Sequence, residues 1–292
     1  MIFAKMHGLG NDFVVVNGFI EHLDDSVLGN LARNICDRNF GVGADGLILV
    51  LPSESADYRM RMFNPDGSEA QMCGNGIRCV AEFAYERGIT RNNPVRVETL
   101  DGGKTLEVSV VDGAVEAVRV DMGRPKIERQ EIPTTMPGSG PVIAQPLELD
   151  GRNLSVTCVS VGNPHCVTFV GDVESFPVRE LGPRIERHPL FPERTNAEFV
   201  EIRNRREMRM RVWERGAGET LACGTGACAS VVASVLNGKT ERAVTVHLSG
   251  GDLQIEWLED GPVVMTGPAV EVFTGEVGPA AMLIWTRDRP VS

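Results

Sequence analysis

The feature that most constrains the fold is an internal repeat of about 150 residues. Cys73-Gly-Asn-Gly aligns with Cys223-Gly-Thr-Gly at an offset of 150. Three further matches keep the same order at offsets of 150 to 153, namely Met60–Phe63 with Met210–Trp213 (and Glu69 with Glu219), Asn11 with Asn163, and Ala44-Asp45 with Ala197-Glu198. Ordered matches at a nearly constant offset predict two homologous halves in a pseudo-symmetric chain.

Each half is predicted to consist mainly of short strands with one main helix. β-Branched and apolar runs bounded by Gly, Asn or Pro predict strands over residues 1–6, 12–19, 46–52, 58–63, parts of 94–122, 240–248, 253–258 and 263–267. Periodic apolar positions predict helices over about 25–38, from Cys73 to Gly88 and from Cys223 to Gly238. No charged residue lies between Thr225 and Leu236, so we expect strands to surround that helix.

The division between the halves is predicted in a segment rich in Pro and Gly, residues 123–146. The first half is then 1–123 and the second 124–272. The fold class is predicted as α+β with two pseudo-symmetric domains.

Charge and composition exclude several classes of protein. The net charge of −11 makes nucleic acid an unexpected partner, because phosphate binding needs clustered Lys and Arg. The longest apolar run, Leu47–Leu51, is far shorter than a membrane span, so no membrane partner is expected. Lys5 and His7 argue against a signal peptide. The odd total of seven cysteines does not fit a disulfide framework, so we expect a cytoplasmic location.

Two cysteines, Cys73 and Cys223, are predicted to carry the chemistry. Each follows a strand and a turn and precedes Gly-X-Gly and a helix, where unpaired N–H groups and the helix dipole favour a thiolate. Two such thiols, facing each other across a cleft between the halves, suit the inversion of a stereocentre. One takes a proton from one face of an α-carbon and the other returns a proton to the opposite face. The helix N-termini would stabilise the carbanion at the carboxylate, and no cofactor is required.

The other cysteines and two motif-like patterns are given structural interpretations. Cys36, Cys158 and Cys166 are expected to be small buried hydrophobes, and Cys79 and Cys228 to pack in the core. Gly41–Gly46 matches G-x-G-x-x-G, but it follows a helix and precedes a strand, so it is not a dinucleotide site. The cysteine spacings and the five histidines argue against zinc, and no metal site is expected.

Six ordered segments resemble the diaminopimelate epimerase family over essentially the whole chain. They are MHGLGNDFVVV, GVGADG, FNPDGSEAQMCGNGIRC, VGNPHCV, RTNAEF and WERGAGETLACGTGACA. The CGNG at Cys73 distinguishes the chain from the related proline racemases, which tend to have His in the third place. The resemblance implies a pyridoxal-independent epimerase that interconverts LL- and meso-diaminopimelate, with Cys73 and Cys223 as the acid/base pair. It also implies domains built from a mostly antiparallel sheet curled around a central helix, an active site in the cleft between them, and residues 273–292 returning to the first domain.

The resemblance further implies which residues hold the substrate. The predicted side-chain contacts are Asn11, Asn64, Asn163, Asn196, Glu214 and Arg215, and the predicted backbone cradle for a carboxylate is Gly74, Asn75, Gly224 and Thr225. Arg215 suits a carboxylate, Glu214 an ammonium group, and the asparagines either charge. His165 is a secondary candidate for orienting a cysteine or the substrate. Gly46 stands where some members of the family have Gln, so a side-chain contact is lost there or a backbone group replaces it.

Three alternatives remain open on the sequence. One is a proline-type racemase of the same superfamily, one is a redox-regulated dithiol protein that switches Cys73 and Cys223 between thiols and a disulfide, and one is a non-catalytic amino-acid-binding protein. The expected partner is a small-molecule amino-acid substrate, and a homodimer is kept open as the assembly state.

Overall fold

The computed structural model describes residues 1–70, 72–149, 151–259 and 261–287. The chain divides into two compact units. Unit 1 comprises Met1–Val120 and the chain from Gly267 onward, and unit 2 comprises Asp121–Thr266. These divisions lie a few residues before the predicted ones, after 123 and after 272.

Unit 1 contains nine described strands and three helices. Its strands are β1 (Ile2–Gly8), β2 (Asn11–Asn17), β3 (Gly46–Leu51), β4 (Tyr58–Phe63), β5 (Glu69–Ala70), β6 (Val95–Thr99), β7 (Gly102–Val111), β8 (Ala114–Asp121) and β18 (Val270–Glu276). Its helices are α1 (Asp25–Ile35), α2 (Gly74–Glu86) and α5 (Pro279–Trp285). The strands pair in the order β18-β1-β2-β3-β4-β6-β7-β8, with β5 as a short partner of β4. The pairs β2–β3 and β4–β6 are parallel and the others are antiparallel.

Unit 2 repeats this plan. Its strands are β9 (Gln145–Leu149), β10 (Arg152–Ser160), β11 (Pro164–Phe169), β12 (Asn196–Asn204), β13 (Glu207–Glu214), β14 (Gly218–Thr220), β15 (Ala243–Leu248), β16 (Gly251–Trp257) and β17 (Val263–Gly267). Its helices are α3 (Val178–Glu186) and α4 (Gly224–Leu236). The order is β9-β10-β11-β12-β13-β15-β16-β17, and β11–β12 and β13–β15 are the parallel pairs.

The strand orders of the two units match strand for strand. Strand β18 in unit 1 is therefore the equivalent of β9 in unit 2. The last described strand, β18, thus completes the sheet of unit 1 by pairing with β1. The predicted fold class is confirmed, with two α+β units and largely antiparallel sheets.

The registers also correct one part of the repeat alignment. Phe13 pairs with Gly46 in unit 1, and His165 pairs with Asn196 in unit 2, both in parallel ladders. Two residues further along, Ile48 and Glu198 therefore occupy equivalent places. The similarity of Ala44-Asp45 to Ala197-Glu198 is a resemblance of letters only, since a side chain's place in a sheet is set by its register.

A central helix lies within each unit, as expected. Every residue from Gly74 to Ala84 of α2 is buried, and this helix contacts strands β1, β2, β3, β7 and β18. Helix α4 is buried from Gly226 to Ser234 and contacts β10 to β13 and β16. Both helices end at a glycine in the left-handed region, Gly88 and Gly238, each with φ +66°.

A second helix in each unit covers the outside of the sheet, and such a helix was predicted for the first half but not for the second. Helix α1 was predicted, but it ends at Ile35 rather than 38. Helix α3 was missed, because Gly182 and Pro183 lie inside it and both residues are poor helix formers. Helix α5, which packs on α1, was also missed. Cys36 lies in the apolar layer under α1, and Cys158 and Cys166 in the layer under α3, as predicted.

Residues 123–146 are mostly irregular, as predicted, with a short 3-10 helix at Arg129–Glu131. Among the described residues, no helix is long and apolar enough to cross a membrane.

Candidate active site

Cys73 caps the N-terminus of helix α2. Its backbone is extended (φ −134°, ψ 120°), and its Sγ accepts a hydrogen bond from the N–H of Gly76 at 3.5 Å. A sulfur atom here takes the role that Ser, Thr, Asp or Asn usually takes at a helix start. Gly74 and Asn75 form the first turn, where N–H groups have no partner within the helix.

Unit 1 joins three predicted site residues in one hydrogen-bond network. The thiol of Cys73 donates to Oδ1 of Asn11 at 3.6 Å, and Nδ2 of Asn75 donates to the same oxygen at 3.2 Å. The other end of Asn11 is held by Asp45, whose Oδ2 accepts from Nδ2 at 2.8 Å. Arg38 in turn donates to Asp45 at 2.7 Å. Asn11 therefore offers its carbonyl oxygen on the side of the cysteine.

Arg78 supports this network and was missed by the sequence analysis. Its side chain is 0% exposed. It donates to Oδ1 of Asn75 at 3.0 Å, to the carbonyl of Gly74 at 3.0 Å and to the carbonyl of Pro268 at 3.1 Å. A lone arginine in an otherwise apolar helical face, Ile77 to Ala81, was the available signal. Arg78 connects the start of α2 to the C-terminal segment that completes unit 1.

Two other predicted residues of unit 1 lie outside the network that joins Cys73, Asn11 and Asn75. Asn64 follows β4 and donates to Oγ of Ser68 at 3.0 Å, within the turn that leads to β5. Gly46 is buried at the start of β3, and a Cβ there would meet the Met62 side chain and the Phe63 carbonyl at 3.1 Å. The contacts predicted for Asn64 and Gly46 with a substrate stay predictions.

Cys223 caps α4 with the same geometry. Its backbone is extended (φ −127°, ψ 109°), and its Sγ accepts from the N–H of Gly226 at 3.4 Å. Oγ1 of Thr225 lies 3.5 Å from the sulfur. Gly226 is required by close packing, because an added Cβ would lie 2.9 Å from Oε1 of Glu198 and 3.2 Å from Sγ of Cys223.

The helix start was expected to favour a thiolate, but burial outweighs it at Cys223. Burial raises the pKa of the Cys223 thiol well above its usual value, and the neighbouring carboxylates of Glu214 and Glu198 raise it further. The hydrogen bonds from Thr225 and Gly226 lower it by less. The surroundings of Cys223 therefore favour its thiol form over the thiolate.

Beneath α4, His165 links two polar residues. Its Nδ1 lies 2.7 Å from Oε1 of Glu198, and its Nε2 lies 2.8 Å from Oδ1 of Asn163. His165 is 1% exposed and Glu198 is 0% exposed. Burial raises the pKa of Glu198, although His165 lowers it in part. Asn163 and His165 were predicted as site residues, whereas Glu198 was quoted only as part of a repeat.

The remaining predicted residues of unit 2 lie at the ends of β12 and β13. Asn196 is buried, with Nδ2 donating to the Pro164 carbonyl at 2.9 Å and Oδ1 accepting from the N–H of Arg215 at 2.8 Å. Arg215 is exposed and donates to the Glu193 carbonyl at 3.0 Å. Glu214 accepts from Oγ1 of Thr220 at 2.5 Å. Asn196 thus holds the backbone at Arg215, and its predicted contact with a substrate stays a prediction.

Within the described ranges, no group of three or more His, Cys, Asp or Glu side chains is arranged to hold a metal ion.

Comparison with known proteins identifies the family. The family model described as diaminopimelate epimerase matches residues 3–128 and 157–272. Diaminopimelate epimerase of Moorella thermoacetica is 59% identical over 277 residues, covering 94% of this chain and 99% of that protein. Diaminopimelate epimerase of Acetivibrio thermocellus is 57% identical over 280 residues, covering 95% and 98%.

Solved structures of lower identity share the fold. A phenazine biosynthesis protein of the PhzF family from Bacillus anthracis superimposes with a TM-score of 0.71 at 19% identity, covering 95% of this chain and 98% of that one. A probable proline racemase from Agrobacterium radiobacter gives a TM-score of 0.68 at 17% identity, covering 98% of both chains.

At these levels of identity the structural neighbours establish the two-domain fold alone, while the relatives at 57–59% identity over most of both chains establish the family. The chain belongs to the diaminopimelate epimerase family.

Proposed function

We propose that this epimerase interconverts LL- and meso-diaminopimelate by moving a proton at one α-carbon between Cys73 and Cys223, without a cofactor. The observation that carries the proposal is the pair of matching helix starts. In each unit an extended cysteine caps the buried central helix and is followed by Gly-X-Gly. The curated relatives named diaminopimelate epimerase support the substrate.

The proposed step moves one proton onto each sulfur in turn. A thiolate takes the proton from the α-carbon, and the electron pair of the C–H bond stays on that carbon, delocalised into the carboxylate. The opposite thiol then gives its own proton to the other face of the same carbon. One turnover leaves the first cysteine as a thiol and the second as a thiolate, so the reverse reaction uses the two groups in exchanged roles. This chemistry requires that both sulfur atoms reach opposite faces of one α-carbon.

The raised pKa of Cys223 supports a role for it as the proton donor in the resting enzyme. Burial and two nearby carboxylates disfavour its thiolate. In the half-reaction that begins from this state, the proposal assigns proton abstraction to Cys73.

The helix starts are proposed to stabilise the carbanion. The first-turn N–H groups at Gly74, Asn75, Gly224 and Thr225 can donate to the α-carboxylate, where negative charge accumulates as the C–H bond breaks. The positive ends of two helix dipoles favour the same charge. Asn11, Asn64, Asn163 and Asn196 are proposed to contact the charged groups of the substrate, with Glu214 for an ammonium group and Arg215 for the distant carboxylate.

The place of the enzyme in the cell follows from its substrate class. We propose that it serves lysine and peptidoglycan precursor biosynthesis in the cytoplasm, where these amino acids are made. The homodimer stays a prediction, which light scattering of the purified protein tests.

The proposal is tested by hydrogen exchange at the α-carbon. The reduced protein is incubated with LL-diaminopimelate in D₂O, and the α-proton signal is followed by NMR beside Cys73→Ala and Cys223→Ala. Loss of that signal together with appearance of the meso isomer, in the wild type and in neither variant, is the expected result. Cys79→Ala and Cys228→Ala are matched controls, since these cysteines lie in the same helices and are fully buried away from the caps.

No exchange by the reduced wild type with diaminopimelate would contradict the substrate. The same assay with proline and 4-hydroxyproline then tests the related racemase activity. Epimerisation that survives loss of either cap cysteine would contradict the two-thiol mechanism, whereas exchange without inversion is what a single remaining thiolate can still catalyse.

A further inference from the structure

A buried polar pair in unit 2 stands where unit 1 has two apolar residues. By the strand registers, His165 and Glu198 occupy the places of Phe13 and Ile48. The helix starts agree with this equivalence. A Cβ on Gly226 would lie 2.9 Å from Oε1 of Glu198, and a Cβ on Gly76 would lie 2.9 Å from Cδ1 of Ile48.

The fold itself does not require this polar pair. Phe13 and Ile48 are both fully buried in a unit with the same strand order. Burying a histidine and a carboxylic acid is unfavourable unless both are fully hydrogen-bonded. Oε2 of Glu198 is buried without a hydrogen-bond partner among the described residues, so the pair is not fully compensated. A pair that the fold can do without, and that is costly to bury, indicates a functional role.

The pair is hydrogen-bonded to Asn163 through His165. Nε2 of His165 donates to Oδ1 of Asn163, because a carboxamide oxygen can only accept. Glu198 holds the opposite nitrogen of the ring and so fixes the direction of the imidazole. With its oxygen held, Asn163 has its NH₂ group as the end that can contact a substrate.

Asn11, the equivalent residue of unit 1, has the reverse polarity. Its Nδ2 donates to Asp45, and its Oδ1 is the end on the side of Cys73. Unit 1 therefore offers an acceptor, which suits an ammonium group, and unit 2 offers a donor, which suits a carboxylate. Diaminopimelate carries two carboxylates and two ammonium groups, so two asparagines of identical polarity would match it poorly.

We propose that Glu198 is a positioning residue that acts through His165 to hold Asn163 with its NH₂ group toward the substrate, the reverse of Asn11. This inference rests on the proposed function, because it assigns the two asparagines to the carboxylate and ammonium groups of an amino-acid substrate.

The test transplants the apolar pair of unit 1 into unit 2. The double variant His165→Phe/Glu198→Ile is expected to unfold at the same temperature as the wild type or above it. Its KM for diaminopimelate is expected to rise at least tenfold, with a smaller change in kcat. Glu198→Gln is expected to stay within threefold of the wild type in both constants, since the Gln amide can donate to Nδ1 of His165 and leave Nε2–H on Asn163.

Two further variants complete the design. Asn163→Asp keeps the size of the side chain but removes its donor, and it is expected to raise KM as much as the double variant does. Glu82→Gln is the matched control at neutral pH, because Glu82 is a buried carboxylic acid of unit 1 on the far part of α2.

The outcomes separate this inference from the proposed function. A double variant with the KM of the wild type would overturn the inference, and so would a Glu198→Gln variant as impaired as the double variant. If the double variant does not fold, Asn163→Asp and Glu198→Gln decide the question by the same KM comparison. Failure of the wild type to exchange the α-proton would instead overturn the proposed function.

Discussion

Replacing Arg78 by Met is expected to lower the free energy of unfolding by about 4 kcal/mol. The fully buried guanidinium donates to three acceptors, the carbonyls of Gly74 and Pro268 and Oδ1 of Asn75. The Gly74 carbonyl lies one helical turn before Arg78 and also accepts a main-chain hydrogen bond within α2. The Pro268 carbonyl and Oδ1 of Asn75 therefore lose more hydrogen bonding from the change than the Gly74 carbonyl does. Each buried acceptor that loses its donor costs about 1–3 kcal/mol, and Met fills the space of the aliphatic stem.

The loss is measurable by urea unfolding, because it is a large part of the 5–15 kcal/mol typical of a domain. Cys228→Ala is the matched control, since residue 228 is the equivalent of residue 78 in α4 and the change removes only one buried sulfur, for about 1 kcal/mol. Where Arg78→Met remains folded, kcat/KM is expected to fall as well, because Asn75 loses the group that holds it beside Asn11. A loss of stability under about 1 kcal/mol would refute this account of the start of α2.

Three further results are expected. Gly226→Ala should cost about 1–3 kcal/mol and reduce kcat/KM, because its new methyl would press on a buried carboxylate oxygen and the capping sulfur. The methyl of Gly76→Ala would press on the flexible ends of Ile48 and Met60 instead, so a smaller loss is expected there. Equal losses in thermal unfolding and activity would contradict this. Burial raises the pKa of Glu82 from 4.5 to about 7, so the proton that the folded protein keeps on this carboxyl adds to its stability. This stabilisation is complete below pH 4.5, and about 3 kcal/mol of it is lost as the pH rises through 7. Glu82→Gln should therefore flatten the dependence of the melting temperature on pH between pH 5 and 8, and an unchanged slope would contradict this reasoning. Iodoacetamide should label Cys73 faster than Cys223, because Cys223 is only 4% exposed and its thiol pKa is raised. Equal labelling rates of the two cysteines in peptide mass spectrometry would contradict this expectation.

Much of the fold was readable from local patterns. The charge-free stretch from Thr225 to Leu236 predicted a helix enclosed by strands, and α4 is buried in that way. The repeat around Cys73 and Cys223 predicted two equivalent helix starts, and both cysteines have the geometry of caps. These features were predictable because helix periodicity and capping depend on neighbouring residues.

Features that depend on distant contacts were not predicted. Helix α3 contains Gly182 and Pro183, and its packing on the sheet outweighs their poor propensity. Sequence similarity aligned Glu198 with Asp45, whereas the sheet registers make Glu198 of unit 2 the equivalent of Ile48 in unit 1. The position of Cys223 at a helix start predicted a lowered thiol pKa, yet burial raises that pKa.

The sequence by itself determined the repeat, the α+β class, the family and the two cysteines, because these are carried by ordered motifs and short-range periodicity. Only the tertiary structure decided what surrounds the cysteines. Arg78 beneath one helix start, and His165 with Glu198 beneath the other, are brought there by strand pairing and burial. The two halves share one strand order, but they differ in the polarity of their interiors, since a register assigns a place to a side chain without specifying its chemistry.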